Sequence, residues 1–416
     1  MSSHRLFFIH IPKTAGTTFN AFLEQQYDLG SIIPPGFFGK HEVYVRPEDI
    51  EAHRDQLKQF ALLRGHFGYK IYQAMAPEFI TLTVLRHPLE RVVSLYNDWR
   101  TKSEENLENA PELEKSLAML AQRLSLPDFL QASHAQLPHW FHNGQARLLA
   151  QDFSCELEDA ELQRLALEHL DAIDYVGITE AFDLFLWVLC ERFGWYRPVQ
   201  LQALNKARHS LRVEDLDEAA RAIVAEKNAV DWALYHRAQK RALTTANQAL
   251  QAPCHSKWHL DRRDQVATVI TMADALPGTG WHVREGVPTD RLWRWTGPTL
   301  KTTLFIRLDR RRYRLSIRVI SVIDASILYQ SEIRVNGTTI ATTIQNDAGD
   351  FLLEGDIPKK LISDRVPTKL AIVVPRTMAP TDVDPDATDS RQKGLAIQEI
   401  SLQPTSRKLW SVTDWQ

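Results

Sequence analysis

Four runs in the first half of the chain decide what it can fold into: "LFFIHI", "FALLRG", "FITLTVLR" and "DYVGIT". Each is apolar nearly throughout, with little alternation. A strand with one wetted face alternates apolar and polar residues, whereas a strand covered on both faces does not. These runs therefore predict strands of a buried parallel sheet. Helical patterns separate and follow them, including "LERVVSLYNDWR", "ELEKSLAMLAQRL", "DLFLWVLCERF" and "LDEAARAIVAEKNAVDWALYHRAQKRAL". Strands alternating with helices imply an α/β chain, a three-layer sandwich around a central parallel sheet.

The second part has a different grain. "LKTTLFIRL", "RYRLSIRVI", "ILYQSEIRV", "KLAIVVP" and "LAIQEISLQ" are short β-type runs, and Asn336-Gly337 is a strong hairpin signal. This pattern predicts a mainly β domain, a β-sandwich, over residues 259–416, following an α/β domain over residues 1–250. The boundary is expected inside "LQAPCHSKWHLDRRDQ", and "APTDVDPDATDSRQKG" reads as a polar loop within the second domain. No internal repeat is visible.

Composition narrows the function classes. A net charge of -3 argues against bulk nucleic-acid binding, which usually shows a basic excess. Cys155, Cys190 and Cys254 are few, odd in number and widely spaced, which disfavours a disulfide framework or structural zinc and favours reduced thiols. The N-terminal apolar run is too short for a signal-peptide core, and "FDLFLWVLCERFGWY" is too short to span a bilayer. A soluble, cytoplasmic protein without a transmembrane segment is expected.

The stretch "IPKTAGTTF" follows the first predicted strand and opens a helix. Such a junction presents unpaired N–H groups and the positive end of a helix dipole, where phosphate and sulfate bind. Ala15 and Gly16 let the backbone approach a ligand. Thr17 and Thr18 add hydroxyls, and Lys13 adds a full charge. The nucleotide-triphosphatase loop G-x-x-x-x-G-K-[ST] is not matched, because no glycine precedes Lys13. An ordinary helix start with a solvated lysine is the bland alternative.

Two more strand ends carry chemistry. Arg86 ends "FITLTVLR", and Pro88 suits the first turn of the following helix. In that helix Leu89, Val92, Val93 and Tyr96 form the apolar stripe, while Ser94 shares another face with Arg91 and Asp98. Arg86 and Ser94 are candidates to hold one anion; a carboxylate-paired arginine and a solvated serine are the alternative. His66 follows "FALLRG". In a parallel sheet Lys13, His66 and Arg86 gather at the carboxyl edge, where open α/β sheets bind ligands. Two anion sites and a titratable base on one edge suggest group transfer from a doubly anionic nucleotide.

With these residues in view, the chain resembles the carbohydrate sulfotransferases, particularly the heparan sulfate and uronyl 2-O-sulfotransferase branch and its bacterial relatives. "IPKTAGTTF" resembles the family's 5′-phosphosulfate loop, and "RHPLERVVS" its 3′-phosphate motif. "RGHFGY" is similar to the segment with the catalytic histidine. "HNGQARLLA" and "YVGITEAFDLFLWVL" resemble later segments, so the likeness covers residues 5 to 245. It implies a P-loop-like fold and the donor 3′-phosphoadenosine 5′-phosphosulfate. It implies a hydroxyl on a carbohydrate or glycoconjugate as acceptor, and it implies no metal. Lys13 and His66 would be catalytic, the histidine as general base. Lys13, Thr14, Ala15, Gly16, Thr17, Thr18, Arg86 and Ser94 would bind the donor. Arg64, Asn143 and Arg147 are candidates for the acceptor side. The chain departs from the family where an aspartate is usual, at His87, and where a second histidine can precede the first, at Arg64. A nucleotide-dependent kinase and a non-catalytic glycan-binding protein on a degenerate scaffold remain as alternatives.

Lys206, Arg208 and His209 read as a solvated basic loop, and Trp187, Trp195 and Trp232 as core. Trp281, Trp293 and Trp295 are expected in the core of the second domain, against a sugar-stacking alternative, and Asp389 and Arg391 are expected to pair.

Overall fold

The fold is that of a computed structural model. It describes residues 4–38, 47–75, 79–103, 107, 112–134, 137–151, 155–195, 211–251, 268–287, 291–363, 366–384 and 386–405. The expected domain boundary and the Lys206–His209 loop lie outside these residues.

All four apolar runs are strands: β1 (Leu6–Ile9), β2 (Leu62–Gly65), β3 (Ile80–Leu85) and β4 (Tyr175–Ile178). They form one sheet in the order β2-β1-β3-β4, and every neighbouring pair is parallel. Alternate residues of β1 serve different cores. Phe7 and Ile9 pack with Leu63, Leu85 and Val176, whereas Leu6 and Phe8 pack with Phe19, Leu82 and Phe185. Both faces are therefore covered, which is why these runs are apolar throughout. Each fully buried side chain contributes about 1.5–3 kcal/mol.

The chain leaves β1 for β2 on one side, then crosses to β3 on the other. The carboxyl end of β1 is thus the switch point of the sheet, where a crevice opens. Helix α1 (Gly16–Glu24) follows β1. The helix Pro88–Arg100 follows β3 and buries Val92, Val93 and Tyr96 as its periodicity predicts. Among the described residues no helix is long and apolar enough to cross a membrane.

Two local readings differ from the structure. The long pattern from Leu216 is two helices, Glu218–Lys227 and Ala229–Gln251, broken at Asn228. The Asn228 side chain is buried, donates to the Val224 carbonyl and accepts from the Asn143 N–H, so it is drawn out of a continuous helix by a partner far along the chain. The run "ILYQSEIRV" is strand only over Glu332–Val335, because Asp324 caps a short helix Ala325–Tyr329 through the Ser326 N–H.

Among the described residues the mainly β part has two antiparallel sheets, of seven and five strands. Leu315, Ile317 and Val319 of Tyr313–Val322 share one core with Leu304 of Lys301–Ile306 and Leu370 of Thr368–Val373. Asn336 and Gly337 both take positive φ and join Glu332–Val335 to Thr338–Ile340, the expected hairpin. Trp281 and Trp295 are buried, as expected, and Trp293 is half-buried. Asp389 and Arg391 pair through two bonds of 2.9 and 2.6 Å.

The two parts touch at the end of α1. Leu29 donates to the Ala273 carbonyl, Leu276 to the Gln25 carbonyl, and Ala275 to the Asp28 carboxylate. Arg284 donates to the Tyr27 carbonyl at 2.7 Å, and Arg294 to the Glu24 carbonyl at 3.2 Å.

Candidate active site

The loop between β1 and α1 is built for close approach. Lys13 and Ala15 both have positive φ, 68° and 63°. Left-handed residues of this kind turn main-chain N–H groups toward one concavity, which suits an anion. Gly16 opens α1, and a Cβ there would lie 1.7 Å from Nε2 of His10, so a side chain could enter only by displacing that ring. Thr17 is exposed and Thr18 half-buried in the first turn. The Thr14 hydroxyl is buried and donates to the Ile11 carbonyl at 2.8 Å, so it braces the loop from within.

Lys13 is held by Asp98 at 2.8 Å, across from the helix Pro88–Arg100. On the same helix Arg91 is fully buried and donates from Nε to the Pro12 carbonyl at 3.2 Å. Residues Arg91 and Asp98 therefore both reach the loop. Ser94, three and four positions from them, lies on the face turned toward it and is half-buried. Arg86 leaves β3 beside them, donating to the Lys13 carbonyl at 3.2 Å and pairing with Glu90 at 3.1 Å.

His66 leaves β2 at the same edge. Its Nδ1 lies 2.8 Å from the His10 carbonyl. A carbonyl only accepts, so Nδ1 carries the proton and Nε2 keeps its lone pair. Burial lowers the His66 pKa below its ordinary value, and the His10 carbonyl partly opposes that. His66 is thus a neutral imidazole near pH 7, the form a general base requires.

Behind these groups sits a buried frame. Gln145 accepts the Arg86 N–H and donates to the Arg86 carbonyl, both at 2.9 Å. The Asp231 carboxylate accepts the N–H groups of Gln145 and Ala146 at 3.2 and 2.8 Å. Arg91 lies beside Gly144, where a Cβ would come within 2.9 Å of its guanidinium. Burial lowers the Arg91 pKa to about 10, opposed by Asp231. Its Nη2 is buried without a hydrogen-bond partner among the described residues. At His87, the main-chain N–H donates to Glu180 at 2.9 Å.

The sheet edge thus brings together Lys13, the loop residues, His66, Arg86 and Ser94. Three acceptor candidates have other partners. Arg64 forms an ion pair with Glu24. Asn143 is buried, accepting from the N–H groups of Val230 and Asp231. Arg147 donates to the carbonyls of His142 and Cys155. Sequence reasoning passed over His10, although its place two residues after Phe8, on the same strand face, was a readable signal.

Residues 2–155 match the model described as the sulfotransferase family. No curated protein matches the chain. Among solved structures, a family GH115 4-O-methyl-α-glucuronidase with specificity for decorated arabinogalactans is 12% identical, with a TM-score of 0.22. That match covers 87% of this chain, which spans about half (49%) of the other protein, and a likeness so slight carries no argument.

Proposed function

We propose, from the match of residues 2–155 to the sulfotransferase family, that the chain moves a sulfuryl group from 3′-phosphoadenosine 5′-phosphosulfate to a carbohydrate hydroxyl, with His66 as general base. One observation carries this reading: a cation-bearing anion loop, a neutral histidine with a free Nε2 and a second cation occupy successive strand ends on one sheet edge. The carbohydrate acceptor rests on the resemblance of "IPKTAGTTF", "RGHFGY" and "RHPLERVVS" to carbohydrate sulfotransferases.

The loop conformation and its glycine fit a phosphosulfate group. Lys13 and the α1 N-terminus would hold it there; Arg86 and Ser94 would hold the 3′-phosphate. When bound, the donor supplies an activated sulfuryl group and a phosphate leaving group. Lys13 stabilises negative charge that grows on the leaving oxygen, a preorganised electrostatic role. An incoming anion competes with Asp98 for the ammonium, so Asp98 keeps Lys13 in place beforehand. His66 accepts the acceptor hydroxyl proton at Nε2. The His10 carbonyl holds the imidazole in the right tautomer and shares the positive charge that results.

Calorimetry with 3′-phosphoadenosine 5′-phosphate, against ADP and ATP, tests the donor class. The expected result is binding of the 3′-phosphorylated nucleotide alone. Preference for ATP would instead support the kinase reading, and no nucleotide binding would support a glycan-binding scaffold.

A further inference from the structure

His10 is placed as a working part of the site, and nothing above gives its side chain a task. Its ring is the middle layer of a three-ring pile. Below it lies Phe8, with centroids 5.3 Å apart and planes at 17°. Above it lies His66, with centroids 4.2 Å apart and planes at 29°. The pile follows from the strand, because His10 comes just after β1 and two residues after Phe8, with its N–H still bonded to the Gly65 carbonyl of β2, so it continues the face that Phe8 occupies. At its edge stands Gly16, where a Cβ would overlap the imidazole. That clash gives the glycine of the anion loop a second reason to be glycine, since it leaves room for the ring on which His66 rests.

On this geometry, and resting on the reading of His66 as the base, we propose that His10 is a positioning residue: its ring is the shelf that fixes the plane of His66, and its carbonyl fixes the Nδ1–H tautomer. The shelf has to be uncharged. His66 becomes an imidazolium when it takes the acceptor proton, and a second cation stacked on it would oppose that step. The charged and titratable groups facing His10 are His66, Arg64 and Lys13, and each disfavours its protonation, as does its burial. Arg64 is itself tied to Glu24. The positive end of α1 acts in the same direction. His10 therefore stays neutral while His66 cycles. The two rings lie face to face, so no proton passes between them; the effect is on orientation and on water access.

The test reads the apo protein and needs no acceptor. Long-range ¹H–¹⁵N spectra of histidine-labelled protein report the tautomer and titration midpoint of His66. The wild type is expected to show the Nδ1–H tautomer and a midpoint below 6.5. His10→Ala removes the shelf and admits water, so the midpoint should rise toward 6.5 and the other tautomer should appear. Gly16→Ala reaches the same contact from the other side by pushing the His10 ring away, and it should reproduce both changes. It carries the test alone if His10→Ala does not fold. If His66 keeps its wild-type tautomer and midpoint in the folded variants, the proposal is overturned. Nucleotide calorimetry on the wild type is a separate measurement, so failure of the donor reading and failure of this one remain distinguishable.

Discussion

Among the described residues each half of the molecule buries one arginine completely, and the two sit in different electrostatic surroundings. Arg91 in the parallel-sheet part grips the Pro12 carbonyl, and Arg294 in the mainly β part grips the Glu24 carbonyl, both at 3.2 Å. Pro12 and Glu24 bracket the anion loop and α1, so one unit is held at both ends. The environments differ. Both arginines donate to main-chain carbonyls, Arg91 to those of Pro12 and Trp140 and Arg294 to those of His282 and Glu24. The buried Asp231 carboxylate supports the Arg91 charge through space, whereas burial and the neighbouring Arg284 lower the Arg294 pKa to about 9, opposed by Glu24. A cation with a buried carboxylate partner is part of a frame that fails when broken; a cation docked on carbonyls offsets much of its own gain by desolvation. The chemistry is placed beside the frame, and among the described residues the second part bonds to the first at the far end of α1 and the turn after it.

The largest expected effect separates chemistry from framework. His66→Ala should lower the turnover of sulfuryl transfer about 100- to 10,000-fold while leaving affinity for 3′-phosphoadenosine 5′-phosphate unchanged. Turnover is read from nucleotide release with an acceptor identified by screening. Equal turnover in the variant would remove His66 from the mechanism. The next effect concerns the frame itself. Arg91→Met strands Asp231 without its counter-charge and should cost about 3–5 kcal/mol of stability in urea denaturation. A loss below about 1 kcal/mol would mean that the Gln145 and Ala146 N–H groups satisfy Asp231 alone.

What was legible in the sequence follows the same division. The four strands could be read because burial on both faces leaves an unbroken apolar run, a property of the local sequence. Lys13, His66 and Arg86 could be read because each stands at the end of such a run or just past it, and parallel strands bring their ends together. Asn143 and Arg147 could not be placed by the same means. Their polar groups look available in "HNGQARLLA", but Asn143 is occupied by Asp159, Asn228, Val230 and Asp231, the last three more than 80 residues away. Arg64 is likewise occupied by Glu24, 40 residues earlier. Long-range satisfaction of buried polar groups leaves no local pattern. Lys13, by contrast, is paired with Asp98, a partner that an incoming anion can replace.

Acid should act on the two parts unequally. Among the described residues, burial lowers the pKa of His4, His10, His66, His87, His134 and His142 in the first part, and of His282 in the second. A histidine whose folded pKa lies below its unfolded value of 6.5 contributes stability that is present above pH 6.5. That contribution is lost as pH falls toward the folded value, about 4 for His142. The melting temperature should therefore fall between pH 6.5 and 4, with amide protection lost first around the parallel sheet. Earlier loss in the mainly β strands would contradict this assignment.

The smallest expected effect is the one that decides how separate the two parts are. Arg294→Met keeps most of the packed length, removes a buried charge that has no bonded carboxylate and leaves two carbonyls short of a donor. These terms oppose one another, so the net change in stability should be within about 1 kcal/mol. The consequence should instead be local. Gln25 and Gln26, whose N–H groups bond back to Phe22 and Leu23, should exchange faster with solvent while the Lys13 loop keeps its donor affinity. If Arg294→Met costs as much as Arg91→Met, the carbonyl dock is a frame in its own right. The anion loop then depends on the mainly β part as closely as on the helix that carries Arg91.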